Sequence, residues 1–205
     1  VMIGKTHYEV ATFRTDQEYK DGRHPEGVLF SGPKEAALRR DFTVNGLFYD
    51  PLKRKVIDYV GGREDLKLRT LRAIGDPDQR FAEDRLRMLR AVRFAATLGF
   101  RLDPATFKAV QAAAGLITEV SSERIRDELV KLFTGPNPGR GLELLDASGL
   151  LRVILPEVEK MKGVQQPPEF HPEGDVFIHT RMVLDGLPNS SPVVAIGALL
   201  HDVGK

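Results

Sequence analysis

Residues 80–100 read RFAEDRLRMLRAVRFAATLGF, and the reading of this stretch decides the fold around it. Leu86, Leu89, Val92 and Ala96 recur at three- and four-residue steps, the periodicity of a helix rather than the alternation of a strand. A helix is therefore predicted over 80–98. Met88, Ala91, Phe94, Ala95 and Leu98 widen the apolar arc well beyond a one-sided stripe, as in a helix packed on most of its circumference. It also carries Asp84, Arg87, Arg90 and Arg93, each three residues after the last and rotated by only ~60°, so one carboxylate and three guanidiniums wind along one side. An acceptor beside a fork of donors can read the edge of a base, and further guanidiniums bind phosphate bidentately while staying charged. A competing reading makes the same row a solvated face, with Glu83 and Asp84 paired to arginines at i,i+3 and i,i+4. Spacing alone favours the ion pairs, which are common on helix surfaces.

Working outward, the 205 residues leave room for one large or two small domains, and 41% hydrophobic with 29% charged residues describes a soluble globular chain. No stretch approaches the ~20 apolar residues of a membrane span, and no basic-then-apolar leader opens the chain. With no cysteine there is no disulfide framework and no thiolate metal site, and a cytoplasmic location is expected. Thirty Lys and Arg against 29 Asp and Glu leave a formal charge of +1, so affinity for nucleic acid must come from local clustering. The chain begins inside the apolar run Val1-Met2-Ile3 and ends at Lys205, directly after Gly204. A fragment of a longer protein is expected.

Upstream of the central helix, Val1 to Ile3, Gly4-Lys5-Thr6 and His7 to Arg14 read as strand, turn, strand. Alternation there places Glu9 on the face of Ala11 and Phe13, either solvated at a sheet rim or held as a metal ligand or base. Thr15 to Gly27 is a polar loop whose Lys20, Arg23 and His24 are available to phosphates or to solvent. A short strand at 28–30 and a helix over 33–40 lead into RRDFTVN (39–45), then a second hairpin of 43–50 with 55–60, the Gly61-Gly62 break and a short helix over 63–69. Downstream, Asp103-Pro104 and Ser121-Ser122 start two helices, and Leu142, Leu145 and Leu150 mark a third. Arg124, Arg126 and Lys131 lie on these helices, facing RNA or solvent. Met161 to Pro168 reads as a linker, beyond which stand His171, His179 on a helix, and His201-Asp202 at the end of the apolar run 193–200. Imidazoles and a carboxylate on two adjacent helices can converge on one divalent ion.

Several of these motifs together resemble the class II nucleotidyltransferase family of bacterial tRNA CCA-adding enzymes and poly(A) polymerases. HYEVATFRTD followed by DGRHP is similar to the family's third-carboxylate strand and flexible loop. RRDFTVN resembles the ribose and triphosphate motif, DYVGGREDL the hinge, and Glu83 to Phe94 the base-reading motif. HPEGDVFIHT and LLHDVGK are similar to the start of an HD domain. The resemblance implies an α+β fold: an incomplete nucleotidyltransferase sheet head over 1–62, a helical neck and RNA-binding body over 63–160, and a linker with the start of a helical HD domain over 161–205. It implies that Asp84 and Arg87 present a Watson–Crick-like edge to CTP or ATP, that Arg40, Arg90 and Arg93 hold the nucleotide, and that Glu9 is the third acidic residue beside two metal-binding aspartates. Mg²⁺ is the expected cofactor, in a two-metal site bridging attacking hydroxyl and leaving pyrophosphate. A second divalent ion is expected at His179, His201 and Asp202. The partners implied are a tRNA or other RNA 3′ end and CTP or ATP, with no membrane.

The family's Gly-Gly-x-x-Arg-Asp loop and Asp-x-Asp pair, which precede such a hairpin, do not stand ahead of it here. The segment by itself is therefore expected not to add nucleotides. Two alternatives stay open. One is an HD-type metal-dependent phosphohydrolase with a nucleotide- or RNA-binding front half, and the other is a non-catalytic RNA-binding module.

Overall fold

The computed structural model describes residues 1–10, 12, 14–16, 28–30, 32–167, 169 and 172–205. The predictions made for Ala11, Phe13, Lys20, Arg23, His24 and His171 lie outside the described residues. The chain opens with two short hairpins: β1 (Met2–Ile3) on β2 (Thr6–His7), and β3 (Arg14–Asp16) on β4 (Val28–Phe30). The strand expected over 7–14 is thus shorter than its alternation suggests, and Glu9 stands exposed just past β2. Helix α1 (Pro33–Leu38) takes proline in its first turn, where the missing N–H is no loss.

RRDFTVN then folds differently from the strand expected at 43. Thr43–Asn45 form a 3-10 turn, and only Leu47–Asp50 (β5) pair with Lys55–Asp58 (β6). This turn is held from three directions. Phe42 bridges Ala73, the Thr43 hydroxyl donates to buried Asp65 at 2.7 Å, and Arg72 joins Asp65 to Asp103 at 3.2 and 3.0 Å. Asp65 belongs to α2 (Gly62–Lys67), which packs so closely on the turn that a Cβ on Gly62 would stand 2.2 Å from the Thr43 carbonyl. The Gly61-Gly62 break is itself organised by Asp58, whose carboxylate accepts the amides of Val60, Gly61, Gly62 and Arg63. Burial works to raise the Asp58 pKa, but those four donors outweigh it and hold the carboxyl below its ordinary value.

The predicted central helix is two helices. α3 (Pro77–Glu83) starts at Asp76, whose side chain accepts from Asp78 and Gln79, and it stops at Asp84, which is extended (φ −150°, ψ 104°). α4 (Leu86–Leu98) restarts two residues later. The reason is local: Asp84 Oδ1 accepts the Leu86 amide at 3.2 Å, a side-chain bond of the kind that competes with the helix ladder and starts a new one. α4 ends at Gly99 in the left-handed region (φ 64°), where the amide of Phe100 returns to the carbonyl of Ala95.

Around α4 the rest assembles. Leu86, Met88, Leu89, Ala91, Val92, Ala95 and Ala96 are buried, the wide arc that the periodicity predicted. α4 touches α3, the short parallel pair β7 (Thr70–Leu71) and β8 (Arg101–Leu102), α6 (Ser122–Phe133) and α7 (Pro138–Ala147). α5 (Pro104–Ala113) is capped by Asp103 and packs on α3, and its Thr106 hydroxyl accepts the Ala73 amide at 3.1 Å. α8 (Leu150–Ile154), α9 (Pro156–Glu159), α10 (Val176–Asp185) and α11 (Pro192–Leu200) complete a helical body, with one hydrophobic core running from Phe42 to Leu199. The fold is α+β, with a few short two-stranded sheets and helices over most of the chain. Among the described residues no helix is long and apolar enough to cross a membrane.

Candidate functional site

Where the 3-10 turn meets the start of α4, a cleft of about 510 Å³ is lined by Arg39, Arg40, Asp41, Asn45, Asp84, Arg87, Arg90 and Phe94. Residues from the two motifs therefore converge across more than forty positions of chain. Asp41 organises the floor. It is 9% exposed, accepts the amides of Phe42 and Asn45 at 2.9 Å each, and takes Arg90 Nε and Nη2 on Oδ2 at 2.9 and 2.7 Å. Burial pushes the Asp41 pKa up, but Asn45, Arg90 and the Phe42 amide together hold the carboxyl below its ordinary value. The carboxylate thus stays charged at neutral pH. Phe94 closes one wall: its ring packs edge-on against Phe42 at 5.8 Å, and the Arg90 guanidinium carbon lies 5.2 Å from its centroid.

Asp84 and Arg87 face this cleft from either side of the helix break. Asp84 takes Arg124 Nη2 on both oxygens at 3.1 and 3.3 Å and the Leu86 amide on Oδ1. A carboxylate has about four lone-pair sites, so one acceptor position remains on Oδ2. Arg87 spends Nη1 on the Arg80 carbonyl at 2.9 Å and on Glu83 at 2.5 Å. Its Nε and Nη2 make no hydrogen bond to the described residues. The site therefore presents one open acceptor and a short row of open donors. Arg40, exposed and without a side-chain hydrogen bond among the described residues, adds a cation at the rim.

The ion-pair reading of the row is correct in part. Glu83 and Arg87 do pair at i,i+4, and Arg80 joins Glu83 at i,i+3. Arg90 and Arg93 instead reach carboxylates far away in sequence. Arg93 is not in the cleft lining; its Nε donates to Glu128 on α6 at 2.6 Å and its guanidinium lies 4.0 Å from the Phe94 centroid. Arg93 was expected to hold the nucleotide; here it ties α4 to α6. Arg124, Arg126 and Lys131, expected on an RNA-facing or solvated side, pair with Asp84, Asp127 and Glu128. Sequence reasoning left Asp41, Asn45 and Phe94 out of the site. The available signal was an aspartate directly after two arginines with an asparagine at i+4, the spacing that lets both side chains meet.

A two-metal centre needs a cluster of carboxylates. Glu9 does not line the cleft, and the two carboxylates that do, Asp41 and Asp84, are bound to Arg90 and Arg124. The described residues of the cleft do not fit a pair of magnesium ions. A different group does converge: His179, His201 and Asp202 offer ligand atoms that lie within 4.8 Å of one another. His179 Nδ1 is held by the Glu173 carboxylate and His201 Nδ1 by the Ala198 carbonyl at 2.7 Å, while His201 Nε2 lies 3.3 Å from Asp202 Oδ2. Burial works to raise the pKa of Asp202, but Lys205, His201 and His179 outweigh it and keep the carboxyl below its ordinary value.

Comparison with known proteins now bears on the cleft. Residues 1–72 match a family model described as the poly A polymerase head domain, and residues 99–162 one described as a probable RNA and SrmB-binding site of polymerase A. The CCA-adding enzyme of Geobacillus thermodenitrificans is 47% identical over 156 residues, covering 76% of this chain and 38% of the relative. That of Lactobacillus helveticus is 43% identical over 145 residues, covering 70% and 36%. A Bacillus stearothermophilus CCA-adding enzyme solved in complex with CTP superposes with a TM-score of 0.63 at 41% identity, over 72% of this chain and 35% of that one. A tRNA nucleotidyltransferase complexed with a primer tRNA and an incoming ATP analog gives a TM-score of 0.62 at 31% identity, over 78% and 45%. The chain thus spans about a third to a half of the length of the relatives it matches.

Proposed function

From a chain that belongs to the nucleotidyltransferase family of CCA-adding enzymes and poly(A) polymerases, we propose that the complete protein adds C and A residues to a tRNA 3′ end without a template. The observation that carries this reading is the open acceptor on Asp84 beside the open donors of Arg87. Cytosine and adenine both present an amino donor next to a ring-nitrogen acceptor, so one acceptor–donor pair suits both. Uracil and guanine present a carbonyl beside an N–H, the reverse pattern, and meet like against like. Such a pair discriminates by about 1–3 kcal/mol. In this reading Arg39 and Arg40, which line the cleft, meet the sugar and phosphates, and Arg90 is held by Asp41. The chemistry is attack of the RNA 3′ hydroxyl on the α-phosphate with pyrophosphate leaving, and the described cleft contributes positioning and selection to it. The division into a head over 1–62, a base-reading neck and body over 63–160 and a C-terminal segment over 161–205 belongs to the same proposal. A tRNA ending at its discriminator base, incubated with the complete protein, is expected to grow with CTP and ATP and not with UTP. No growth, or equal growth with UTP, would contradict the reading.

His179, His201 and Asp202 form the proposed seat of one divalent cation. Equilibrium dialysis with Mn²⁺ is expected to show one bound ion fewer after His201→Ala than in the wild-type protein. Equal binding by both would remove the site. The phosphohydrolase alternative gains no support from the matches above.

A further inference from the structure

Arg80 opens the quoted stretch but lies outside the row singled out by its spacing, and it is not part of the cleft lining. Its side chain is only 13% exposed. Nη2 donates to the carbonyl of Leu38 at 3.3 Å and to that of Arg40, while Nη1 donates to Glu83 Oε2 at 2.7 Å. On the other side, its own carbonyl and the same Glu83 oxygen receive Arg87 Nη1. One residue therefore touches the backbone beneath Arg40 and the two groups that aim Arg87.

That arrangement has a cost. Burial, and then the charge of Arg87, lower the Arg80 pKa, and Nε is buried without a partner among the described residues. A buried unpaired donor is destabilising, so stability alone does not account for a guanidinium here. What a guanidinium supplies and an apolar or ammonium group cannot is a planar fork reaching several acceptors in fixed geometry. The acceptors are the last turn of α1, the segment carrying Arg40 and Asp41, and the end of α3.

We propose that Arg80 is a positioning residue for nucleotide selection: it sets the Arg39–Arg40–Asp41 segment in register with Glu83 and Arg87, so that sugar-phosphate and base are read at one fixed separation. The proposal rests on the cleft being the nucleotide site. Small errors in such registers are costly, since a misplacement of about 1 Å can reduce rates by about 100-fold.

The test compares the complete wild-type protein with Arg80→Met, similar in length but without donors, and with Arg80→Lys. The assay follows extension of a tRNA lacking its 3′ C and A residues, with CTP and with UTP varied separately. Arg80→Met is expected to raise KM for CTP about 10-fold and to lower the preference for CTP over UTP by a similar factor, with KM for tRNA unchanged. Arg80→Lys should fall between the two, because an ammonium can serve part of the fork. A variant that melts earlier yet keeps the wild-type KM for CTP and the CTP preference would overturn the proposal, since a merely structural tie behaves that way. Should Arg80→Met not fold, Arg80→Lys decides: an unchanged CTP preference overturns the role. Wild-type protein that itself shows no CTP preference refutes the nucleotide reading, and the Arg80 role falls with it; a preference retained in both variants refutes the Arg80 role alone.

Discussion

Arg87→Ala in the complete protein is expected to reduce the preference for CTP over UTP by about 10- to 100-fold in kcat/KM, leaving tRNA affinity at its wild-type value. The direction follows from what Arg87 touches. Nη1 is occupied by Arg80 and Glu83, so the rest of the fork is held rigidly toward the cleft at little entropic cost on binding. On the proposed reading, alanine removes the donors that would meet the ring nitrogen of C or A and the like-against-like contact that would reject U. Arg124 stays paired with Asp84 at 3.1 Å. Parallel measurement of tRNA binding and single-nucleotide incorporation separates the effects. Weakened tRNA binding with the CTP preference intact would assign Arg87 to RNA instead.

The second large effect is on stability. Glu128 is 3% exposed and receives Arg93 at 2.6 Å and Lys131 at 3.1 Å, with Arg90 Nη1 at 3.8 Å. Burial works to raise its pKa, but Arg93 and Lys131 prevail and hold the carboxyl below its ordinary value. Glu128→Ala leaves the Arg93 guanidinium, itself only 13% exposed in its side chain, buried without its counter-charge. Removing one partner of a buried pair costs about 3–5 kcal/mol. In a domain of this size that corresponds to a fall in Tm of roughly 10 °C. Asp127→Ala, one residue away, is the control: its pair with Arg126 is exposed on both sides and its loss should barely move the melting curve. Equal shifts for the two variants would mean that the buried pair contributes nothing particular.

Much of the fold was legible because its information is local. The 3.6-residue periodicity of α4 and the aspartate-proline start of α5 are short-range signals: α4 lies within the helix expected over 80–98 and α5 starts where it was expected, whereas a separate α3 starting at Asp76 was not read. The break at Asp84 was not legible, because apolar residues keep helical spacing on both sides of it and a single side-chain bond to Leu86 decides the matter. The strand through Glu9 failed for the opposite reason. Period-two alternation is visible in the sequence, but a strand needs a partner, and β2 finds one only at Thr6–His7. Within the site, the ridge of arginines was legible and their partners were not. Arg90 finds Asp41 49 residues away and Arg93 finds Glu128 35 residues away, so one became part of the cleft floor and the other a structural tie.

We expect Asp84 and Arg87 to read the edge of the base. This role is tested most directly by comparing CTP with its analogue lacking the 4-amino group, as substrates of wild-type protein and of Asp84→Ala. Wild-type protein is expected to use the analogue about 10- to 100-fold less well in kcat/KM, because the open Asp84 oxygen loses its donor, while Asp84→Ala treats the two alike. Equal use of both nucleotides by the wild-type protein would contradict the claim.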